Sequence, residues 1–96
     1  MNSITIISYD ISNNRLRRHI DKTIKNFGTR IQKSVFACQL SAARISELRT
    51  KLKSVLAQNE KHAEDTDSII IINELSKNNF ENMAGNACTS EAFVVI

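Results

Sequence analysis

An acid at position 10 closes the apolar run Ser3-Ile4-Thr5-Ile6-Ile7-Ser8-Tyr9-Asp10, and arginines follow at positions 15, 17 and 18. Strand ends are where rigid scaffolds present binding and catalytic side chains, and a carboxylate beside arginines suits a divalent metal or a phosphate better than it suits packing. Magnesium is usually held by one or two carboxylates together with waters and substrate phosphates, so Asp10 supplies one ligand per chain. A fuller site needs a second Asp10 brought near by a twofold axis. Two such carboxylates repel and favour a proton or cation between them, which ties metal affinity to pH. The competing reading makes Asp10 a helix N-terminal charge or an ion-pair partner of Arg17.

Arg15, Arg18, Lys22 and Lys25 fall at offsets of three, seven and ten, which places four cations in one stripe along a helix. That spacing tracks a phosphate backbone. Two such stripes in a dimer present roughly eight cations, the range in which duplex binding becomes appreciable and strongly salt-dependent. A solvated helix face has the same pattern. The remaining candidates are weaker. His62, Glu64, Asp65 and Asp67 lie in a polar connection without ligand spacing and read as solvated loop. His19 reads as a surface histidine, and Ser34 lacks the Gly-x-Ser-x-Gly context of a nucleophile elbow.

The elements that must position these residues follow from periodicity. The first strand, Ile4 to Tyr9, is apolar on both faces, the pattern of a central strand covered on both sides. Ser12 or Asn13 caps a helix whose apolar positions are Leu16, Ile20, Ile24 and Phe27, with Gly28 as its stop. From Thr29 to Leu40 the period falls to two, with Arg30, Gln32, Ser34, Phe36 and Cys38 on one face, predicting one long second strand. Ser41 caps a second amphipathic helix through Ile45, Leu48, Leu52, Val55 and Leu56. After the connection Asn59 to Asp67, Ser68 to Asn73 reads as a fully buried strand. Residues 76–96 carry a helical turn around Phe80 and Met83 ending at Gly85, and a terminal strand from Ala92 to Ile96.

This order predicts an α+β fold, the ferredoxin-like βαββαβ plait with helices on one sheet face, over residues 1–75. Residues 76–96 form a tail that docks a partner or adds a strand to its sheet. The other sheet face is left bare and apolar, which a symmetric homodimer would cover. The 96 residues fit one domain, and 42% apolar residues suffice for a modest core. A net charge of +3 favours polyanionic partners without defining them. Cys38 and Cys88 have no CxxC spacing and read as reduced thiols. No leader pattern and no bilayer-length apolar run is visible, so a soluble cytoplasmic protein with no membrane partner is expected.

The strand ending Tyr9-Asp10-Ile11, the basic helix closing on Phe27-Gly28, and the motif Arg30-Ile31-Gln32-Lys33-Ser34-Val35-Phe36 together resemble one family. They are similar to the small CRISPR-associated proteins of spacer acquisition, the "Cas-two" family, described as CRISPR-associated endoribonucleases. The resemblance runs to Asp67-Ser68-Ile69 and not into the tail. It implies a ferredoxin-like homodimer that sits between dimers of the larger adaptation integrase and holds duplex DNA, with single-stranded RNA as a further ligand. It also implies a magnesium-dependent nuclease activity in some members. Carried over by position, Asp10 is the metal-binding residue, and Tyr9, Arg17, Arg30 and Phe36 match positions linked to activity. Where some nucleolytic relatives have a basic residue two positions after the counterpart of Arg17, this chain has His19. Two functions follow as expectations: an adaptor whose stripes grip duplex DNA, and a phosphodiesterase in which Arg17 and Arg30 stabilise developing charge around a metal at Asp10. A free-standing ribonuclease toxin on the same fold is the alternative.

Overall fold

The computed structural model describes residues 3–76. Its elements are β1 (Ser3–Asp10), α1 (Asn14–Lys25), β2 (Thr29–Gln32), β3 (Val35–Cys38), α2 (Ala42–Gln58) and β4 (Ser68–Ser76), with a short 3-10 turn at Glu60–His62. The strands form one antiparallel sheet in the order β2-β3-β1-β4. This is the ferredoxin-like plait expected from the sequence. The tail predictions at Phe80, Met83, Gly85 and Ala92 to Ile96, and Cys88, lie outside the described residues.

The caps behave as their residue types require. Asn13 accepts from the Leu16 amide at 3.0 Å and starts α1, and Ser41 accepts from the Arg44 amide at 3.3 Å and starts α2. Leu16, Ile20 and Ile24 are fully buried from α1, and Leu48, Leu52 and Val55 are buried from α2. They pack on Ile7, Tyr9, Ile11, Phe36 and Cys38, so both helices cover one sheet face. Burying each such aliphatic side chain stabilises the fold by about 1.5–3 kcal/mol. Gly28 is required by close approach: a Cβ there would stand 2.3 Å from Cys38 Sγ and 2.5 Å from the Ala37 carbonyl oxygen.

The long second strand predicted from Thr29 to Leu40 is instead a hairpin. The chain turns at Lys33-Ser34, with Ser34 at φ 65°, and Gln32 pairs with Val35. A register shift between Arg30 and Gln32 keeps Arg30 opposite Phe36. The alternation therefore survives the reversal: Phe36 and Cys38 face the helices, while Ile31, Val35 and Ala37 belong to the opposite face. The turn is hard to see because neither residue is Gly, Asn or Pro.

The far sheet face is less bare than expected. Ile4, Ile6 and Ala37 are buried there, with Ile31, Val35 and Leu75 half-buried against them. The strand predicted as fully buried is not: Ile69 and Ile71 lie half-buried beneath the helices, but Ile70 and Ile72 are 55% and 48% exposed. Among the described residues β4 has a strand neighbour on one side only, which leaves its outer part open.

Candidate nucleic-acid interface

The residues singled out from the sequence fall into three places. β1 ends with Tyr9 and Asp10 on opposite faces, as strand alternation demands. Tyr9 points to the helix side and is buried, whereas Asp10 is exposed at the sheet end, opposite Ser68. The Asp10 carboxylate makes no ion pair or hydrogen bond among the described residues, so the pairing with Arg17 offered as the competing reading is not made. Arg17 instead donates to the Ile11 carbonyl at 3.0 Å and to Asn14 Oδ1, fastening the β1–α1 connection. Asp67, read from the sequence as solvated loop, fastens the same connection from outside: its carboxylate accepts from the Ser12 amide at 3.0 Å and from the Glu64 amide at 2.9 Å. These two amide bonds, Glu64 first and Ser12 second, hold its pKa below the usual carboxylate value.

The second place is a cleft of about 200 Å³ between α1 and the β2–β3 turn, lined by Tyr9, Arg17, Arg18, Asp21, Arg30, Lys33 and Ser34. Here the fold joins residues far apart in sequence. The Tyr9 amide donates to the Ser34 carbonyl at 3.0 Å, which ties the turn to the end of β1. The Tyr9 hydroxyl donates to Asp21 Oδ1 at 2.6 Å, and Arg30 pairs with the same oxygen. Lys25 Nζ stands 3.4 Å from Asp21 Oδ2. Burial, then the hydrogen bond to Asp21 and its charge, push the Tyr9 hydroxyl above its ordinary pKa, so it stays a proton donor.

Phe36 is fully buried beneath this cleft. Its ring stacks on Tyr9 with centroids 6.4 Å apart and carries the Arg30 guanidinium 5.5 Å above its centroid. It therefore supports Tyr9 and Arg30 and has no surface of its own to offer a ligand. Asp21 escaped the sequence analysis because its partners are twelve and nine residues away. The one available signal was a lone acid in an otherwise cationic helix, four residues before Lys25.

The third place is the outer face of α1. Arg15, Arg18, Lys22 and Lys25 are exposed along it, opposite the buried Leu16, Ile20 and Ile24. Arg15, Arg18 and Lys22 form no ion pair among the described residues, while Lys25 meets Asp21. Arg18 belongs to both the stripe and the cleft, so the cationic surface runs from one into the other. No group of three or more His, Cys, Asp or Glu side chains able to hold a metal exists among the described residues. His19 lies beside Asn59, with 3.2 Å between Nδ1 and Nδ2. Among the described residues no helix is long and apolar enough to cross a membrane.

The family described as "CRISPR associated protein Cas2" matches residues 3–83. Two curated proteins are similar: the CRISPR-associated endoribonuclease Cas2 of Geobacter sulfurreducens, 38% identical over 65 residues and covering 68% of this chain and 64% of that protein, and the CRISPR-associated endoribonuclease Cas2 3 of Synechocystis sp., 34% identical over 55 residues and covering 57% and 60%. The matched region spans less than two thirds of the length of either relative. The crystal structure of Streptococcus pyogenes Cas2 superimposes with a TM-score of 0.65 at 26% identity, covering 84% of this chain and 99% of that one. A further Cas2 crystal structure gives 0.67 at 27% identity, covering 88% and 87%.

Proposed function

The chain belongs to the Cas2 family of CRISPR-associated proteins, and on that premise we propose that it serves CRISPR adaptation by holding duplex DNA through the phosphate backbone. The observation that carries this reading is the continuous cationic surface from Arg15, Arg18 and Lys22 into the cleft of Arg30 and Lys33. Cations on a rigid helix face at these spacings neutralise phosphates without reading bases, so sequence preference is weak. Acting as a homodimer, the protein presents two such surfaces and bridges subunits of the CRISPR integrase. Changing Arg15 and Arg18 to Glu abolishes duplex binding while the thermal unfolding transition stays in place. Undiminished binding by that variant would refute the reading.

A second reading is favoured by Asp10 and by the endoribonuclease names of the relatives. An exposed carboxylate at a strand end, engaged with nothing among the described residues, fits one ligand of a magnesium ion. A magnesium ion so held supplies charge to polarise a phosphoryl oxygen and lowers the pKa of its water. Asp10 of a second copy would complete the carboxylate pair, while the exposed Arg30 guanidinium contacts the phosphodiester. Cleavage of single-stranded RNA by the wild type in magnesium, lost in Asp10→Asn and on chelation, supports this reading. Cleavage that persists in Asp10→Asn overturns it.

A further inference from the structure

Asp21 is an acid in the wall of a cleft whose other charged lining residues are Arg17, Arg18, Arg30 and Lys33. A phosphate-binding surface loses Coulomb attraction from such a charge, so its presence calls for a compensating gain. The gain visible here is geometric. The Asp21 side chain is only 15% exposed and accepts from both the Tyr9 hydroxyl and Arg30, while Arg30 itself is 43% exposed. Arg30 is thereby held at two points, by the carboxylate on one side and the Phe36 ring on the other. A guanidinium has five N–H donors in a fixed fork, so this grip leaves donors free for a ligand. Arg17 cannot substitute, because its own fork is fastened to Ile11 and Asn14.

We infer that Asp21 is a positioning residue, which holds the Arg30 guanidinium along the cleft wall in the orientation that receives a nucleic-acid phosphodiester, with the Tyr9 hydroxyl fixing the Asp21 carboxylate in turn. The inference rests on the phosphate-binding function proposed above. Asp21 acts through Arg30 and does not itself touch the ligand. Its negative charge is the cost of pre-organising a long side chain that would otherwise lose rotamer freedom on binding.

The test is fluorescence anisotropy with a labelled duplex oligonucleotide, in magnesium-free buffer at fixed salt. Asp21→Ala makes the chain more cationic yet weakens binding about tenfold, as expected for an anchored charged hydrogen bond set loose. Asp21→Asn keeps the Oδ1 acceptor and stays within about twofold of wild type. In the Arg30→Ala background, Asp21→Ala no longer weakens binding, because the residue being positioned is gone and only the repulsive charge is removed. Asp21→Glu keeps the charge but moves the carboxylate by one methylene, so it also weakens binding, and it serves as the independent arm if Asp21→Ala does not fold. A purely electrostatic role predicts tighter binding for Asp21→Ala and no change for Asp21→Glu; either result overturns the inference. A wild type that does not bind duplex at all sinks the proposed function together with it, whereas wild-type binding with an unchanged or tighter Asp21→Ala variant sinks this inference alone.

Discussion

Neutralising Arg15, Arg18 and Lys22 together, as the triple alanine variant, addresses the cationic stripe quantitatively. All three side chains are exposed and free of ion pairs among the described residues, whereas Lys25 is engaged with Asp21 and is left in place. Each duplex phosphate neutralised contributes about 0.9 to the slope of log affinity against log salt, so three contacts contribute about 2.7 per chain. Between about 50 and about 200 mM salt, the fourfold change in concentration then accounts for roughly a 40-fold loss of affinity through these three residues alone. The assay is duplex binding across a salt series for wild type and variant. The expected outcome is a variant slope shallower by about 2.7 for each stripe in contact with the duplex, with the two affinities converging as salt rises. The fold is unaffected, because none of the three contributes to the buried face of α1. A variant whose slope matches wild type to within about 0.5 would show that the stripe is a solvated helix face and nothing more.

Three further outcomes follow from local geometry. Gly28→Ala drives a Cβ into the Ala37 carbonyl, which is backbone and cannot swing aside, so it lowers stability by about 1–3 kcal/mol; urea unfolding reads this as a lower midpoint at unchanged slope. Asp67 has a folded-state pKa below the ordinary aspartate value of 3.8, so its bonds to Ser12 and Glu64 stabilise the fold above that pH and are lost as pH falls through the lower, folded-state value. The stability difference between wild type and Asp67→Ala is therefore constant near neutrality and shrinks in acid, and a pH series of thermal melts that shows it growing in acid refutes the assignment. Burial pushes the Cys38 thiol up to about 11 and hides it completely, so in a Cys88→Ser background it reacts with a thiol reagent at pH 8 only as the protein unfolds. Rapid labelling of the native protein would contradict this placement.

Local signals were legible where chain chemistry decides the outcome. The apolar spacing of Leu16, Ile20 and Ile24, the Asn and Ser caps, and the two-sided apolarity of β1 each act within a few residues and predicted their elements directly. The Lys33-Ser34 turn was not legible, since Ser34 adopts φ 65° without the residue types that announce such a turn. The exposure of Ile70 and Ile72 was equally hidden, because a β-branched run reads alike whether a strand lies in the middle of a sheet or at its side. Tyr9 and Phe36 were marked by resemblance alone, and Arg30 also by its place at the start of a strand; their physical connection became visible only when the hairpin brought Phe36 against Tyr9.

The sequence by itself determined the plait, the cationic face of α1 and the acid that ends β1, because periodicity and strand alternation assign faces without knowledge of neighbours. Only the tertiary structure decided which charges work together. It left Asp10 without an ion pair among the described residues, fastened Arg17 to the Ile11 carbonyl, and joined Arg30 to Asp21 through a hairpin and a helix. Ion pairing depends on distance through space, and in this chain the partners that matter are set by sheet order and by the reversal at Ser34.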